Sequence, residues 1–235
     1  MPKDWLAWHE PYDDPSSSLS HRLAAVQMHI ARAIDACAPG PIRLLSMCAG
    51  QGRDLLGVLP DHPRRDDVQA LLVELDRRNV ERARALIDEL GLEGVSIVEG
   101  DAARTDSYAP IAPVDVALVC GVFGNVVDDD IASAIQLLPT LLAPNATVVW
   151  TRFPREPELL PRIDGWFHDA GFDTIAVETG AGDDGSKYGL GVHRLVAEPQ
   201  AFASGARLFT FVDDPDPTGE KARRAQSSAN TATSS

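Results

Sequence analysis

Apolar residues recur along the chain in two rhythms. Leu23, Val26, Ile30, Ile34 and Cys37 return at helical spacing. That predicts an amphipathic helix from about Ser20 to Cys37, capped by Ser20 and ended by Pro39-Gly40-Pro41. Short apolar runs then follow: Ile42 to Met47, Ala70 to Leu75, Val95 to Glu99, Val114 to Cys120, Thr147 to Trp150, Phe172 to Val177 and Val192 to Val196. Such runs predict strands, and the nearly continuous Val114 to Cys120 is what a parallel sheet covered on both faces demands. Helical patterns separate them. One spans residues 53 to 59, closed by Pro60. Another carries Val80, Ala83, Ile87 and Leu90 and stops at Gly91. A third starts at Asp128-Asp129-Asp130 and is broken by Pro139; a fourth runs from Leu160 to Ala170 and stops at Gly171.

Strand alternates with helix five times, which predicts one α/β domain. Its form is a doubly wound three-layer αβα sandwich over a mostly parallel seven-stranded sheet. The Gly/Asp-rich stretch Gly180 to Gly189 joins the last two strands without a helix, so the last strand is expected to be antiparallel. Arg207 to Val212 suggests one more short strand. The expected organisation is an N-terminal arm and cap helix over residues 1–38, the sandwich over 39–212 and a disordered tail over 213–235, where Pro, Ser, Thr, Ala and charge take over. Trp5, Trp8 and Tyr12 are too apolar for a solvated arm; they suit a lid over a ligand or packing against the first helix.

Composition narrows the function. The 235 residues are 44% hydrophobic and 24% charged, enough for a substantial core. No apolar run reaches the ~18 residues of a membrane span, and no signal-peptide pattern opens the chain, so a cytoplasmic protein is expected. Cys37, Cys48 and Cys120 form no C-x-x-C pair, which argues against a zinc site or a disulfide framework. The net charge of −14, with no basic cluster, repels nucleic acid and anionic membrane surfaces and leaves a small molecule as the expected partner.

The candidate chemistry gathers at strand ends. The first strand runs into Ser46-Met47-Cys48-Ala49-Gly50-Gln51-Gly52, a tight turn before a helix. In such sheets ligands bind at the carboxyl edge. Asp76 closes the second strand and suits the two hydroxyls of a ribose, although it also stands where a helix cap would. Asp101 follows the third strand and suits an adenine amino group. A dinucleotide turn would want glycine where Leu55 stands, and no lysine serves a phosphate. The acids Asp128 to Asp130 open a helix and need no metal. His193 is a structural histidine or a general base; Arg152 is a surface residue or an anchor for an acidic acceptor.

On these motifs the chain resembles the class I S-adenosylmethionine-dependent methyltransferases. The family's acidic-x-Gly-x-Gly-x-Gly turn matches Ser46, Cys48, Gly50 and Gly52, with serine in place of the acid and cysteine in place of the first glycine. The resemblance spans roughly residues 20 to 197. It implies S-adenosylmethionine as cofactor, held by Ser46, Cys48, Ala49, Gly50, Gly52, Asp76, Arg77, Asp101, Ala102, Cys120 and Gly121. Gly121-Val122-Phe123-Gly124 lacks the polar-Pro-Pro-aromatic motif of nucleobase or glutamine nitrogen methylation. An NAD-dependent oxidoreductase and a cofactor-binding protein without turnover are the alternatives.

Overall fold

The computed structural model describes residues 11–153, 159–183 and 185–212. Trp5, Trp8 and the tail expected to be disordered lie outside these residues.

The first helix, α1, runs Ser18–Asp35. Its cap is Ser17 and not Ser20: the Ser17 hydroxyl accepts from the Ser20 N–H at 3.1 Å. Arg64 ties off the far end, donating to the carbonyls of Ile34, Cys37, Ala38 and Gly40. Then come β1 (Ile42–Met47), a single-turn α2 (Arg53–Leu56), β2 (Val68–Glu74), α3 (Arg77–Glu89), β3 (Val95–Glu99) and β4 (Val114–Val119). The second half has α4 (Asp128–Leu137), β5 (Leu142–Arg152), α5 (Leu160–Asp169), β6 (Phe172–Ala181) and β7 (Lys187–Leu195).

The strand order is β3-β2-β1-β4-β5-β7-β6. β1 to β5 pair in parallel, and β7 is inserted antiparallel between β5 and β6. The doubly wound, mostly parallel seven-stranded sheet with an antiparallel last strand is therefore the observed fold. The two apolar clusters of the core lie on its two faces. One joins Leu45, Val73, Val119 and Trp150 to α4 and α5. The other joins Leu44, Leu72 and Leu118 to α1 and α3.

Three elements differ from the sequence reading. β5 starts at Leu142, not Thr147: the strand passes through exposed Pro144 and Asn145, whose φ of 63° marks an irregularity in its pairing with β4. The stretch from Gly180 to Gly189 is mostly strand, with only 182–186 left as a hairpin turn. Its glycines serve side chains, since a Cβ on Gly180 would lie 2.2 Å from the Tyr188 ring. Arg207 to Val212 forms two isolated bridges, Arg104 with Arg207 and Val126 with Phe211, and no strand of its own.

Because β1 to β5 point the same way, the residues after each one share one edge. The hairpin turn lies there too, since β6 ends and β7 begins opposite Arg152 at the end of β5.

Candidate functional site

The turn after β1 is a left-handed one. Cys48, Gly50 and Gly52 have φ of 52°, 56° and 69°. Two of these positions take glycine at no steric cost; cysteine at the third holds a conformation that L side chains adopt rarely. Ser46 is buried within β1, between Leu72 of β2 and Leu118 of β4. Burial, with Glu74 and Asp101 nearby, pushes the Cys48 thiol up. Burial, with Asp54 nearby, does the same for Cys120. Neither thiol is therefore a ready nucleophile.

The carboxylate that addresses this turn belongs to Glu74, the last residue of β2. One oxygen accepts the Gly50 N–H at 2.8 Å and the other the Asp76 N–H at 2.8 Å. The side chain is buried and brings negative charge under the turn. Asp76, expected as the ribose acid, is the N-cap of α3: it accepts the Arg78 N–H at 3.0 Å and pairs with the Arg78 guanidinium at 2.7 Å. Arg77 is exposed and bonds Glu81 at 2.9 Å. A strand-final acid and a helix cap two residues later look alike in sequence; the missed signal was that Glu74 ends the buried strand whereas Asp76 precedes a helical run.

Asp101, after β3, accepts the Ala103 N–H at 2.9 Å. Ala102 is buried beneath it, its carbonyl held by the Tyr108 hydroxyl at 2.8 Å. Ala49 bonds across to the Val73 carbonyl at 3.0 Å. At the end of β4, the Gly121 N–H donates to the Thr151 hydroxyl at 2.9 Å. Gly121 has φ of 75°, and a Cβ there would meet nothing within 4 Å. The edge thus offers a left-handed turn, an open position at Gly121 and two carboxylates facing it from β2 and β3. These carboxylate acceptors suit a nucleoside, whose ribose hydroxyls and amino group donate.

The N-terminal arm reaches the same edge. Tyr12 bonds Arg22 of α1 at 2.5 Å, and the Arg22 and Arg53 guanidiniums lie 5.8 and 5.7 Å from its ring centre. Arg53 bonds Asp13 at 2.6 Å and Gln51 at 3.1 Å. Asp183 of the hairpin turn donates its N–H to the Ser16 carbonyl at 2.9 Å.

Arg152 is buried, not a surface residue, and donates to the Phe123 carbonyl at 2.5 Å. Asp128 lies 3.7 Å from it, and among the described residues no group of acids, histidines or cysteines could hold a metal. His193 lies inside the core. Its Nδ1 accepts from the Trp150 indole N–H at 3.0 Å and its Nε2 meets Asp164 at 2.9 Å. An indole nitrogen only donates, so Nδ1 is an acceptor and the proton sits on Nε2. Both ring nitrogens are engaged, which suits the structural reading and not a general base.

Burial pushes the His193 pKa below its ordinary value, with Asp164 opposing. The folded protein thus favours the neutral ring. Its contribution to stability is complete above the unfolded value of about 6.5 and is lost as pH falls from there through the folded value. Urea denaturation at about pH 7.5 and about pH 5.5 should show stability falling on acidification, and less steeply in His193→Leu. Equal slopes in the two proteins would contradict the assignment.

Residues 18–163 match the model of a family described as "Putative methyltransferase". The chain belongs to this methyltransferase family. Solved structures share the methyltransferase fold at low identity. The 1,6-didemethyltoxoflavin-N1-methyltransferase of Burkholderia thailandensis is 16% identical with a TM-score of 0.61, over 82% of this chain and 84% of that one. The magnesium protoporphyrin IX methyltransferase of Synechocystis PCC 6803 is 12% identical with a TM-score of 0.60, over 80% and 89%. A methyltransferase from Thiobacillus denitrificans is 18% identical with a TM-score of 0.54, over 74% and 91%. No curated protein matches the chain. Among the described residues of the methyltransferase, no helix is long and apolar enough to cross a membrane.

Proposed function

We propose that the protein transfers a methyl group from S-adenosylmethionine to a small-molecule acceptor. The observation that carries the reading is the pairing of Glu74 with the Gly50 turn, beside Asp101 one strand further out. Glu74 takes the ribose hydroxyls in place of Asp76, and Asp101 takes the adenine amino group. The left-handed turn and Gly121 leave backbone against the methionine tail. Ser46 supplies a hydroxyl where the resembled family has an acid. The neighbours from Burkholderia, Synechocystis and Thiobacillus were solved with S-adenosylhomocysteine or S-adenosylmethionine bound.

When bound, the cofactor supplies an electrophilic sulfonium methyl, so the protein's main task is to align acceptor and donor. Tyr12, Arg22 and Arg53 bring the arm and α1 against the turn and wall off water on that side. A net charge of −14 disfavours nucleic acid as acceptor. Two of the neighbours are named for small-molecule substrates, 1,6-didemethyltoxoflavin and magnesium protoporphyrin IX.

Isothermal titration should show one site for S-adenosylhomocysteine and none for NADH. Absence of S-adenosylhomocysteine binding sinks the cofactor reading. Methyl transfer to nucleic acid or protein, with no turnover on a small-molecule panel, sinks the acceptor class alone.

A further inference from the structure

Beyond β7 the chain doubles back along the carboxyl edge of the sheet. Thr105 donates its N–H to the Ala206 carbonyl at 3.1 Å, and Leu208 donates to Ala103 at 2.7 Å. Further on, Thr210 donates to Asp130 at 2.7 Å and Val212 to Asn125 at 3.0 Å. Leu208 and Phe209 are buried in the same apolar cluster as Ala102, Ala103 and Tyr108. Residues 203–212 therefore form a strap from the end of β3 to the start of α4. The strap lies outside residues 18–163, which the family model covers.

Arg207 sits where the strap passes Asp101. Its Nη2 is 2.9 Å from Asp101 Oδ2, and its Nη1 donates to the Phe209 carbonyl at 3.2 Å. The guanidinium is thus fixed on the strap itself. Asp101 Oδ1 is held by the Ala103 N–H at 2.9 Å. One carboxylate oxygen is pinned by its own loop and the other by the strap, which removes rotation about the side chain.

The geometry points to Arg207 as a positioning residue that sets Asp101 to read the amino group of the cofactor's purine, an inference that rests on the cofactor reading above. A carboxylate oxygen has two lone pairs, so Oδ2 holds the guanidinium and still accepts an amino N–H. Without Arg207, among the described residues the Ala103 N–H alone is left to orient the carboxylate. The purine would then be held by its ribose and its faces, and the amino group would count for less.

The test compares two ligands on the full chain: S-adenosylhomocysteine and its analogue with purine in place of adenine, lacking the 6-amino group. Wild type should prefer S-adenosylhomocysteine. Arg207→Met should weaken that ligand about three- to fivefold and leave the analogue nearly unchanged, so the preference shrinks. Arg207→Lys should restore part of the preference. Asp101→Asn should reduce it as well, and adding Arg207→Met to Asp101→Asn should change it no further. Equal weakening of both ligands, or an unchanged preference, overturns the role of Arg207, because a merely structural strap would affect both alike. Failure of wild type to bind S-adenosylhomocysteine at all overturns the cofactor reading and this role with it.

Discussion

Glu74→Ala is expected to weaken S-adenosylhomocysteine binding by about 100-fold or more. Hydrogen bonds to a charged acceptor contribute about 1.5–3 kcal/mol each, and in the proposed binding mode two ribose hydroxyls share this carboxylate. The change also removes the acceptor that holds Gly50, so the left-handed turn loses its brace. Asp76→Ala is the matched control. It removes the α3 cap and should lower stability by about 1 kcal/mol while leaving affinity nearly unchanged. Titration calorimetry and urea denaturation on both variants separate the two roles. The opposite pattern, with affinity lost at Asp76 and kept at Glu74, returns the ribose to Asp76.

Trp150→Ala should be the most damaging single change in the core, with a loss of about 3–5 kcal/mol. The indole is fully buried, stacks against Phe167 with ring centres 6.0 Å apart and lies 5.7 Å from Phe123. It also faces Gly191 of β7, where a Cβ would come within 2.2 Å of the ring. Truncation therefore opens a cavity between β5, β7 and α5, and removes the donor to His193. Trp150→Phe divides these effects. It keeps most of the packing and strips the N–H, so Nδ1 of His193 is free to take a proton. The folded His193 then takes its proton more readily, so stability should fall less steeply below about pH 6.5 than in wild type. Denaturation curves across the pH range check both statements. A Trp150→Ala protein as stable as wild type would remove this ring from the account of the core.

The strands of the parallel half were legible because each is a short, mainly apolar run bounded by turn residues. Ile42 to Met47 and Val95 to Glu99 have the bounds that the sequence reading gave them. The antiparallel half was harder, for a physical reason. Glycine usually marks a turn, yet Gly180, Gly189 and Gly191 leave room for Tyr188, Leu160 and Trp150 within strands. Pro144 and Asn145 likewise punctuate a strand and do not precede it. At the site, the glycine turn and both strand-end carboxylates were visible as letters. Which of two acids faced the turn depended on where β2 ended and α3 began: Glu74 is the last strand residue, whereas Asp76 already caps the helix. The strap was invisible as a site because Arg207 is 106 residues from Asp101.

The insertion of β7 between β5 and β6 has a consequence in time. The strand that completes the sheet is the last of its seven to leave the ribosome. Until Lys187–Leu195 emerges, the β5 edge from Thr147 to Arg152 has no partner on that side. Val148, Val149 and Trp150 on that edge are apolar and open to pairing with another chain. The short turn at 182–186 shortens this interval, since β6 is already in place to form a hairpin with β7 as it appears. The reversed strand thus closes the sheet before the strap at 203–212 is laid across its edge.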